Sequence, residues 1–370
     1  MGFYLIFFTI FSLLSFQEIF AKASFKSQKK LIFIISCTFI FLSTFYCGTM
    51  GDYISYSNYF ANNVSYKNLY NFEGNQFEYL YEVIQVIAKY TVNDYRFSRF
   101  ISSLIVMGVF YSIYIKGDNG KRNQFPYTTL LILWGLHFGN LFIIRSTIAS
   151  AICIYSLQFI ANKKIIKFVI CTIIAVLFHK MCLLWFCAYF LYYTKWSRKF
   201  LYAGVVGGFI FSRYLPELIS NISIVFGTRI HQKVTSYIVR GTDLTYGSNY
   251  DTAFVLFKAS INGFFLIIVF GILLYFLQKD KNIELAEGEY NIYLFGFMMQ
   301  VITLMCSSAI GRVAIPFTSM QYYLLPKIFN IKYDGNFSKM VVWLIFVLYL
   351  LLRMVVFVHS SNYIPFILEI

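Results

Sequence analysis

Residues 340–358 read MVVWLIFVLYLLLRMVVFV, an apolar run whose one charge is Arg353. A helix needs about 20 mostly apolar residues to cross the hydrocarbon core of a bilayer, so this run predicts a transmembrane helix. Similar runs lie at residues 2–18, 31–48, 99–116, 126–142, 144–161, 165–178, 181–194, 200–214, 253–277, 290–308 and 312–325. We therefore predict an all-α, polytopic transmembrane helical bundle of about 12 spans, forming a single membrane domain over residues 1–370.

The composition also indicates an integral membrane protein. Apolar residues make up 59% of the chain and charged residues only 13%, against about 25% charged in soluble proteins. The N-terminus has no basic stretch and no cleavage site of small residues, so we expect a first span there and not a removable signal peptide. The seven cysteines form no CxxC pair, which favours small buried side chains over metal ligands or disulfides: Cys37, Cys47, Cys153, Cys171, Cys182, Cys187 and Cys306.

The charge pattern predicts an orientation. The net charge is +15, and the basic residues cluster in every second connection between predicted spans. Because short cytoplasmic loops are enriched in Lys and Arg, we place these connections in the cytoplasm and expect no nucleic-acid partner. The clusters are Lys22 to Lys30, Lys121 and Arg122, Lys163 and Lys164, Lys195 to Lys199, Lys279 and Lys281, and Lys327 and Lys332.

Two long connections, 49–98 and 215–252, then lie outside, as do both termini. Within the first, residues 76–91 are amphipathic, since Leu80, Val83, Ile84 and Ile87 share a helical face. We predict an interfacial or re-entrant helix at 76–91. Residues 217–239 in the second connection have a similar half-apolar pattern.

Polar residues at the outer ends of spans are candidate site residues, because charge near hydrocarbon is costly unless it is paired or hydrated. Arg145 and Arg312 each sit among small residues at such an end. A guanidinium presents a planar fork of donors that suits phosphate, although an arginine reaching outer head groups is the alternative. His179 and Lys180 form an outward turn, and histidine exchanges protons near neutral pH.

Further candidates lie in the two outer connections. Asp52 and Glu78 are candidate proton acceptors or sugar ligands, and Tyr53, Tyr56 and Tyr79 are candidates for stacking on sugar rings. A solvated loop acid is the competing reading of both carboxylates. His137 and His359 lie in apolar surroundings and favour a structural role. The second connection carries Arg213, Arg229, His231, Arg240 and Asp243, which suit either a diphosphate or lipid head groups.

Several of these motifs resemble the EpsG family of Wzy-like bacterial polysaccharide polymerases. The resemblance rests on Gly51-Asp52-Tyr53 followed by Tyr56, on Glu78-Tyr79, and on Arg145-Ser-Thr-Ile-Ala at the start of a span. It continues through the Asn/Lys turn at 162–164 and the His179-Lys180 turn. It covers residues 45–195 by motif and the remainder mainly by topology.

The resemblance implies a multi-pass enzyme of the bacterial cytoplasmic membrane whose active site faces outward. Such enzymes move a glycan from undecaprenyl diphosphate onto a sugar hydroxyl of the next lipid-linked unit, beside a flippase and a chain-length regulator. On this reading Arg145 and Arg312 bind the diphosphate, and His179, Asp52 or Glu78 accepts the proton of the hydroxyl. Lys180, Arg213, Arg229, Arg240, Tyr53 and Tyr79 would contact diphosphate or sugar. We expect no cofactor and a metal-independent transfer.

Other classes of protein stay open. A flippase for lipid-linked oligosaccharide predicts charges in a central cavity and, often, two similar halves, neither of which the sequence displays. A glycosyltransferase using a polyprenyl-phosphate donor predicts an acidic pair soon after the first span, where this chain has the basic residues 21–30. A ligase that moves finished glycan would share the arginine-rich outer site, so the sequence does not separate it from a polymerase.

Overall fold

The computed structural model describes residues 2–21, 24–47, 51–70, 77–116, 124–138, 145–194, 198–212, 214–225, 227–228, 231–232, 235, 287–303, 311–330, 333, 335–360 and 367–368. The span predicted at 253–277 lies outside them. Nearly all described residues are helical, apart from the two-residue strands β1 (Tyr46–Cys47) and β2 (Ile367–Leu368), which pair antiparallel. The all-α fold predicted from the apolar runs is confirmed.

The helices are numbered here in chain order. They are α1 (Gly2–Ala21), α2 (Phe25–Phe45), α3 (Gly51–Asn62), α4 (Tyr79–Thr91), α5 (Tyr95–Ile115), α6 (Pro126–Leu133), α7 (Arg145–Ala161), α8 (Ile165–Phe178), α9 (Cys187–Tyr193), α10 (Arg198–Ser212), α11 (Leu215–Val225), α12 (Glu287–Ile302), α13 (Ile315–Thr318), α14 (Gln321–Lys327) and α15 (Asn336–Ser360). Short 3₁₀ segments lie at Tyr66–Leu69, Lys180–Phe186, Arg312–Ala314 and Ile328–Asn330, and a π-helical turn at Trp134–Phe138.

Four of the described helices are long and apolar enough to cross a membrane: α1, α2, α5 and α15. Their outward faces carry large apolar side chains, such as Leu13 and Phe41, that are mostly exposed. Such a surface is costly in water and normal in lipid. Together with the composition, these faces define a helical membrane protein, while the count of about 12 spans stays a prediction.

Three predicted spans depart from a single straight α-helix. The run 126–142 starts as α6 but widens into the π-helical turn Trp134–Phe138, and the run 181–194 starts with 3₁₀ geometry before α9. The run 312–325 divides between the 3₁₀ turn Arg312–Ala314, α13 and α14. Apolar periodicity alone does not distinguish these helix types, because they differ in hydrogen-bond spacing and not in hydropathy.

The chain divides into two compact units, Met1–Leu183 with Phe329–Ile370, and Leu184–Ile328. In the first, α7 packs on α8, α2 on α5, and α1 on α6. Its aromatic core includes Trp134 stacked on Phe39, with ring centroids 5.3 Å apart. The buried carboxylate of Glu18 in α1 accepts the backbone N–H groups of Tyr127 and Thr128 at 2.8 and 2.9 Å, so it satisfies donors that the start of α6 leaves unpaired.

In the second unit, α12 packs against α9, α10 and α13. Gly296 lets α12 approach α13 closely, because an added Cβ would lie 2.5 Å from Phe317 Cβ and 2.7 Å from Thr318 N. The Asn291 side chain donates to the Thr194 carbonyl at 2.6 Å, and Lys327 Nζ lies 3.6 Å from the buried carboxylate of Glu289. These contacts tie the start of α12 to its neighbours within the unit.

The segment 76–91, predicted to be amphipathic, contains α4, whose buried residues are both apolar, such as Ile84, and polar. Glu82 and Gln85 are fully buried, whereas Ile87 is 44% exposed. The helix therefore turns polar groups toward the protein and part of its apolar face outward. An apolar side chain on the outward face is what an interfacial helix presents to the membrane, and that assignment of α4 stays a prediction.

Candidate functional site

The candidate site lies in the first unit, where the starts of two helices meet the end of a third. Glu78 is the residue immediately before α4, Arg145 is the first residue of α7, and His179 terminates α8. These three predicted site residues lie far apart in the sequence. Packing of α4 on α8 and of α7 on α8 brings their ends together.

Arg145 is held on two sides. Its Nη1 donates to Glu78 Oε2 in an ion pair, and its Nε donates to the Tyr56 hydroxyl at 3.2 Å. The guanidinium also lies over the Phe77 ring, 4.8 Å from the centroid, a cation–π contact. Its side chain is 23% exposed, and among the described residues Nη2 has no hydrogen-bond partner. The described residues therefore orient the guanidinium through Nε and Nη1 and leave Nη2 unbound by any of them.

Glu78 connects Arg145 to the His179-Lys180 turn. Its Oε1 accepts the backbone N–H of Lys180 at 3.3 Å while its Oε2 binds Arg145. The Nδ1 atom of His179 accepts the backbone N–H of Met181 at 3.2 Å. A neutral imidazole that accepts at Nδ1 carries its proton on Nε2, so Nε2 of His179 is a donor in this tautomer.

Aromatic rings support the ion pair. Tyr56 stacks on Phe77 with centroids 4.5 Å apart, and Tyr81 meets both rings edge-on. Tyr56 is the tyrosine that contacts Arg145. Tyr53, a predicted sugar-stacking residue, instead packs against Tyr95 and lies under the buried guanidinium of Arg99, 5.4 Å from its ring centroid. Tyr79 is 36% exposed at the first turn of α4.

Glu82 is the principal residue that sequence reasoning missed. Its buried carboxylate accepts the Tyr59 hydroxyl at 2.6 Å, the Phe77 backbone N–H at 3.2 Å and the Asn68 side-chain amide at 3.5 Å. Burial raises the pKa of this carboxyl above its ordinary value, although the three donors oppose the shift. The available signal was its spacing: an acid four residues after Glu78 shares a face of a helix that starts between them.

The other predicted site residues fall elsewhere. The Asp52 backbone belongs to the first turn of α3, four residues before Tyr56, but its side chain lies outside the described residues, as do those of His137 and His359. Arg312 begins the 3₁₀ turn Arg312–Ala314 in the second unit. Arg213, Arg229, Arg240 and Asp243 lie outside the described residues.

His231, in the second unit, has its Nδ1 2.9 Å from Ser223 Oγ and 3.2 Å from the Ser220 carbonyl oxygen. It therefore sits within a local network at the end of α11. In the part of the chain that the structure describes, no three His, Cys, Asp or Glu side chains converge in a way that holds a metal ion.

The fold and this site define a helical membrane protein with an oriented arginine at a helix start. The model of the EpsG family matches residues 29–368, nearly the whole chain. The chain therefore belongs to the EpsG family, and the resemblance predicted from its motifs is confirmed. No curated protein and no solved structure matches it.

Proposed function

We propose that the chain is a Wzy-type polymerase that joins lipid-linked oligosaccharide repeat units at the outer face of the bacterial cytoplasmic membrane. The observation that carries this proposal is the arrangement around Arg145, which is oriented by Glu78 and Tyr56 while its Nη2 makes no hydrogen bond to a described residue. Membership of the EpsG family supports a polysaccharide polymerase as the general class.

In the proposed reaction, a sugar hydroxyl of one lipid-linked unit attacks the anomeric carbon of the glycan on another. A carbon–oxygen bond forms, the bond to undecaprenyl diphosphate breaks, and the diphosphate leaves with the electron pair. Negative charge develops on the bridging oxygen, and a preorganised donor stabilises it. Arg145 suits this role because its planar fork binds phosphate oxygens and because the start of α7 adds the positive end of a helix dipole.

The hydroxyl proton needs an acceptor. Both carboxylate oxygens of Glu78 are already engaged by Arg145 and Lys180, so we assign Glu78 to orienting Arg145. The Nε2 atom of His179 is a donor in the neutral tautomer, which suits a hydrogen bond to diphosphate or sugar. We therefore propose Asp52, one helical turn before Tyr56, as the proton acceptor, while the role of Arg312 in binding diphosphate stays a prediction from the sequence.

Replacing Arg145 by Lys tests the proposal. Lysine keeps the charge but loses the fork, so it cannot hold Glu78, Tyr56 and a phosphate oxygen together. We expect long glycan to disappear from gels while single repeat units accumulate on the outer face of the membrane. Arg96→Lys is the matched control, because Arg96 is ion-paired with Asp94 in the same unit and lies in the first turn of a different helix, α5.

The location of the accumulated material separates the polymerase from a flippase. Loss of a flippase would leave single repeat units on the cytoplasmic face, and that result for Arg145→Lys would contradict the proposal. Long glycan at its normal level would refute the role of Arg145 directly.

A further inference from the structure

We infer that Glu82 is a positioning residue for the site: it fixes the backbone of Phe77 and Glu78 and thereby holds Arg145 in place. This inference rests on the proposed role of Arg145. Glu82 does not contact Arg145 through a hydrogen bond in the structure, so its action is indirect. The inference depends on the way in which α4 begins.

An ordinary helix start uses the side chain of the residue before the first turn to accept a free backbone N–H of that turn. Glu78 occupies this position before α4, but its side chain makes no such bond. It extends instead to Arg145 and to the Lys180 N–H. The side chain that would ordinarily cap α4 therefore binds Arg145 and Lys180 instead of the first turn of its own helix.

Glu82 supplies a substitute. From the second turn of the helix its carboxylate reaches back to the backbone N–H of Phe77, at 3.2 Å. This resembles the reciprocal half of a capping box, in which an acid three residues into a helix binds the N–H at its start, here displaced by one residue in each direction. The carboxylate itself is held by the hydroxyl of Tyr59 at 2.6 Å and the amide of Asn68 at 3.5 Å.

Phe77 and Glu78 both contact Arg145, one through its ring and the other through its carboxylate. Releasing the Phe77 N–H would therefore free two of the three groups that orient the guanidinium. Tyr56, the third, stacks on the Phe77 ring, so its position also depends on this backbone. One buried acid thus controls the whole arrangement around Arg145.

The test measures the environment of Arg145 independently of polymerisation. Phenylglyoxal modifies free guanidinium groups faster than paired ones, and mass spectrometry of the purified full-length protein reports modification at Arg145. In Glu82→Ala we expect modification of Arg145 to be about 5 to 30 times faster. The loss of one buried acceptor should raise the population of molecules with an unpaired Arg145 by about that factor. Glu82→Leu gives a second variant that fills the buried volume, should the alanine variant not fold.

Two further variants provide controls. Glu82→Gln keeps an acceptor oxygen for Phe77 and Tyr59, so Arg145 should react at the wild-type rate. Gln85→Ala removes an equally buried hydrogen-bonding side chain one turn later, whose partner is Ser98 at 2.6 Å. Because no hydrogen bond among the described residues joins Gln85 or Ser98 to Phe77 or Glu78, Arg145 in Gln85→Ala should also react at the wild-type rate.

In polymerisation assays, Glu82→Ala should lower kcat by about tenfold to a hundredfold, the cost of misplacing a catalytic group by about 1 Å, and Glu82→Gln should restore it. Unchanged phenylglyoxal reactivity in both Glu82→Ala and Glu82→Leu would overturn the inference, as would an equal increase in Gln85→Ala. If Arg145→Lys still makes long polymer, the proposed function is wrong. The rate at which phenylglyoxal modifies Arg145 in the Glu82 variants would still test the positioning role of Glu82.

Discussion

The ion pair between Arg145 and Glu78 should contribute measurably to stability as well as to function. Its side chains are 23% and 11% exposed, so neither charge is fully hydrated and their hydrogen bond is charge-assisted. Such bonds contribute about 1.5–3 kcal/mol net. We therefore expect a coupling free energy of that size between Arg145→Ala and Glu78→Ala.

The coupling is obtained from a double-mutant cycle. The free energy of unfolding is measured for the wild type, both single variants and the double variant, by titrating the purified protein in micelles with a denaturing detergent. The coupling is the amount by which the double variant departs from the sum of the single variants. The cycle removes effects that each substitution has on the rest of the molecule.

Arg96 and Asp94 provide the reference pair in the same unit. Their side chains are 39% and 32% exposed, and exposed pairs couple by less than about 1 kcal/mol. Additivity within about 0.5 kcal/mol for Arg145 and Glu78 would refute the reasoning. So would a coupling no larger than that of the reference pair, because burial is then not what strengthens the contact.

Three further predictions follow from individual contacts. Gly296→Ala should lower the free energy of unfolding by about 1–3 kcal/mol through overpacking. Gly108→Ala in α5 should raise it by up to about 1 kcal/mol through helix propensity, because no neighbouring side chain lies within 4 Å of the added Cβ. Equal thermal unfolding temperatures for the two variants would contradict this prediction. Because burial raises the pKa of Glu82 above 4.5, its contribution to stability is complete below that pH and is lost as the pH rises through the folded-state pKa. The stability of Glu82→Gln relative to wild type should therefore increase from pH 4 to pH 7, and a constant difference between the two unfolding curves would argue against the shift. If His179 acts as an Nε2 donor, His179→Gln should retain more long polymer on gels than His179→Ala, and equal loss in both would exclude that role.

The sequence predicts some parts of the site better than others. Arg145, Glu78 and the His179-Lys180 turn are each predictable singly, because each is a polar residue at the end of an apolar run. Their mutual contacts are not predictable, since they depend on how α4, α7 and α8 pack. Sequence spacing carries no information on contacts between residues 67 positions apart, the separation of Glu78 and Arg145.

The helices, too, are predictable from the sequence in some places and not in others. Apolar length predicts α8 at 165–178 with the bounds that the structure has, because Asn162 to Lys164 interrupt the run before it and His179 ends it. Length alone does not predict the π-helical turn after α6 or the breaks in 312–325. Nor does it predict that α4 buries Glu82, because an amphipathic pattern assigns every acid to the outward face of its helix.

Three described acids of the first unit accept backbone N–H groups at or just before the start of a helix, whereas Glu78 stands before α4 and does not cap it. Glu18 binds the N–H groups at the start of α6, Glu82 binds the N–H before α4, and Asp94 caps α5 by accepting the N–H of Arg96 at 2.8 Å. Glu18 and Asp94 each lie where a helix start leaves donors and a positive dipole end, whereas Glu82 reaches back to the residue before the N-cap of its own helix. Glu78 stands at such a start, yet its side chain leaves its own helix for Arg145 and for the N–H of Lys180, the first residue of another helix. Capping does not require the ion pair with Arg145, so the proposed role of Glu78 in orienting Arg145 accounts for the part of its geometry that capping leaves unexplained.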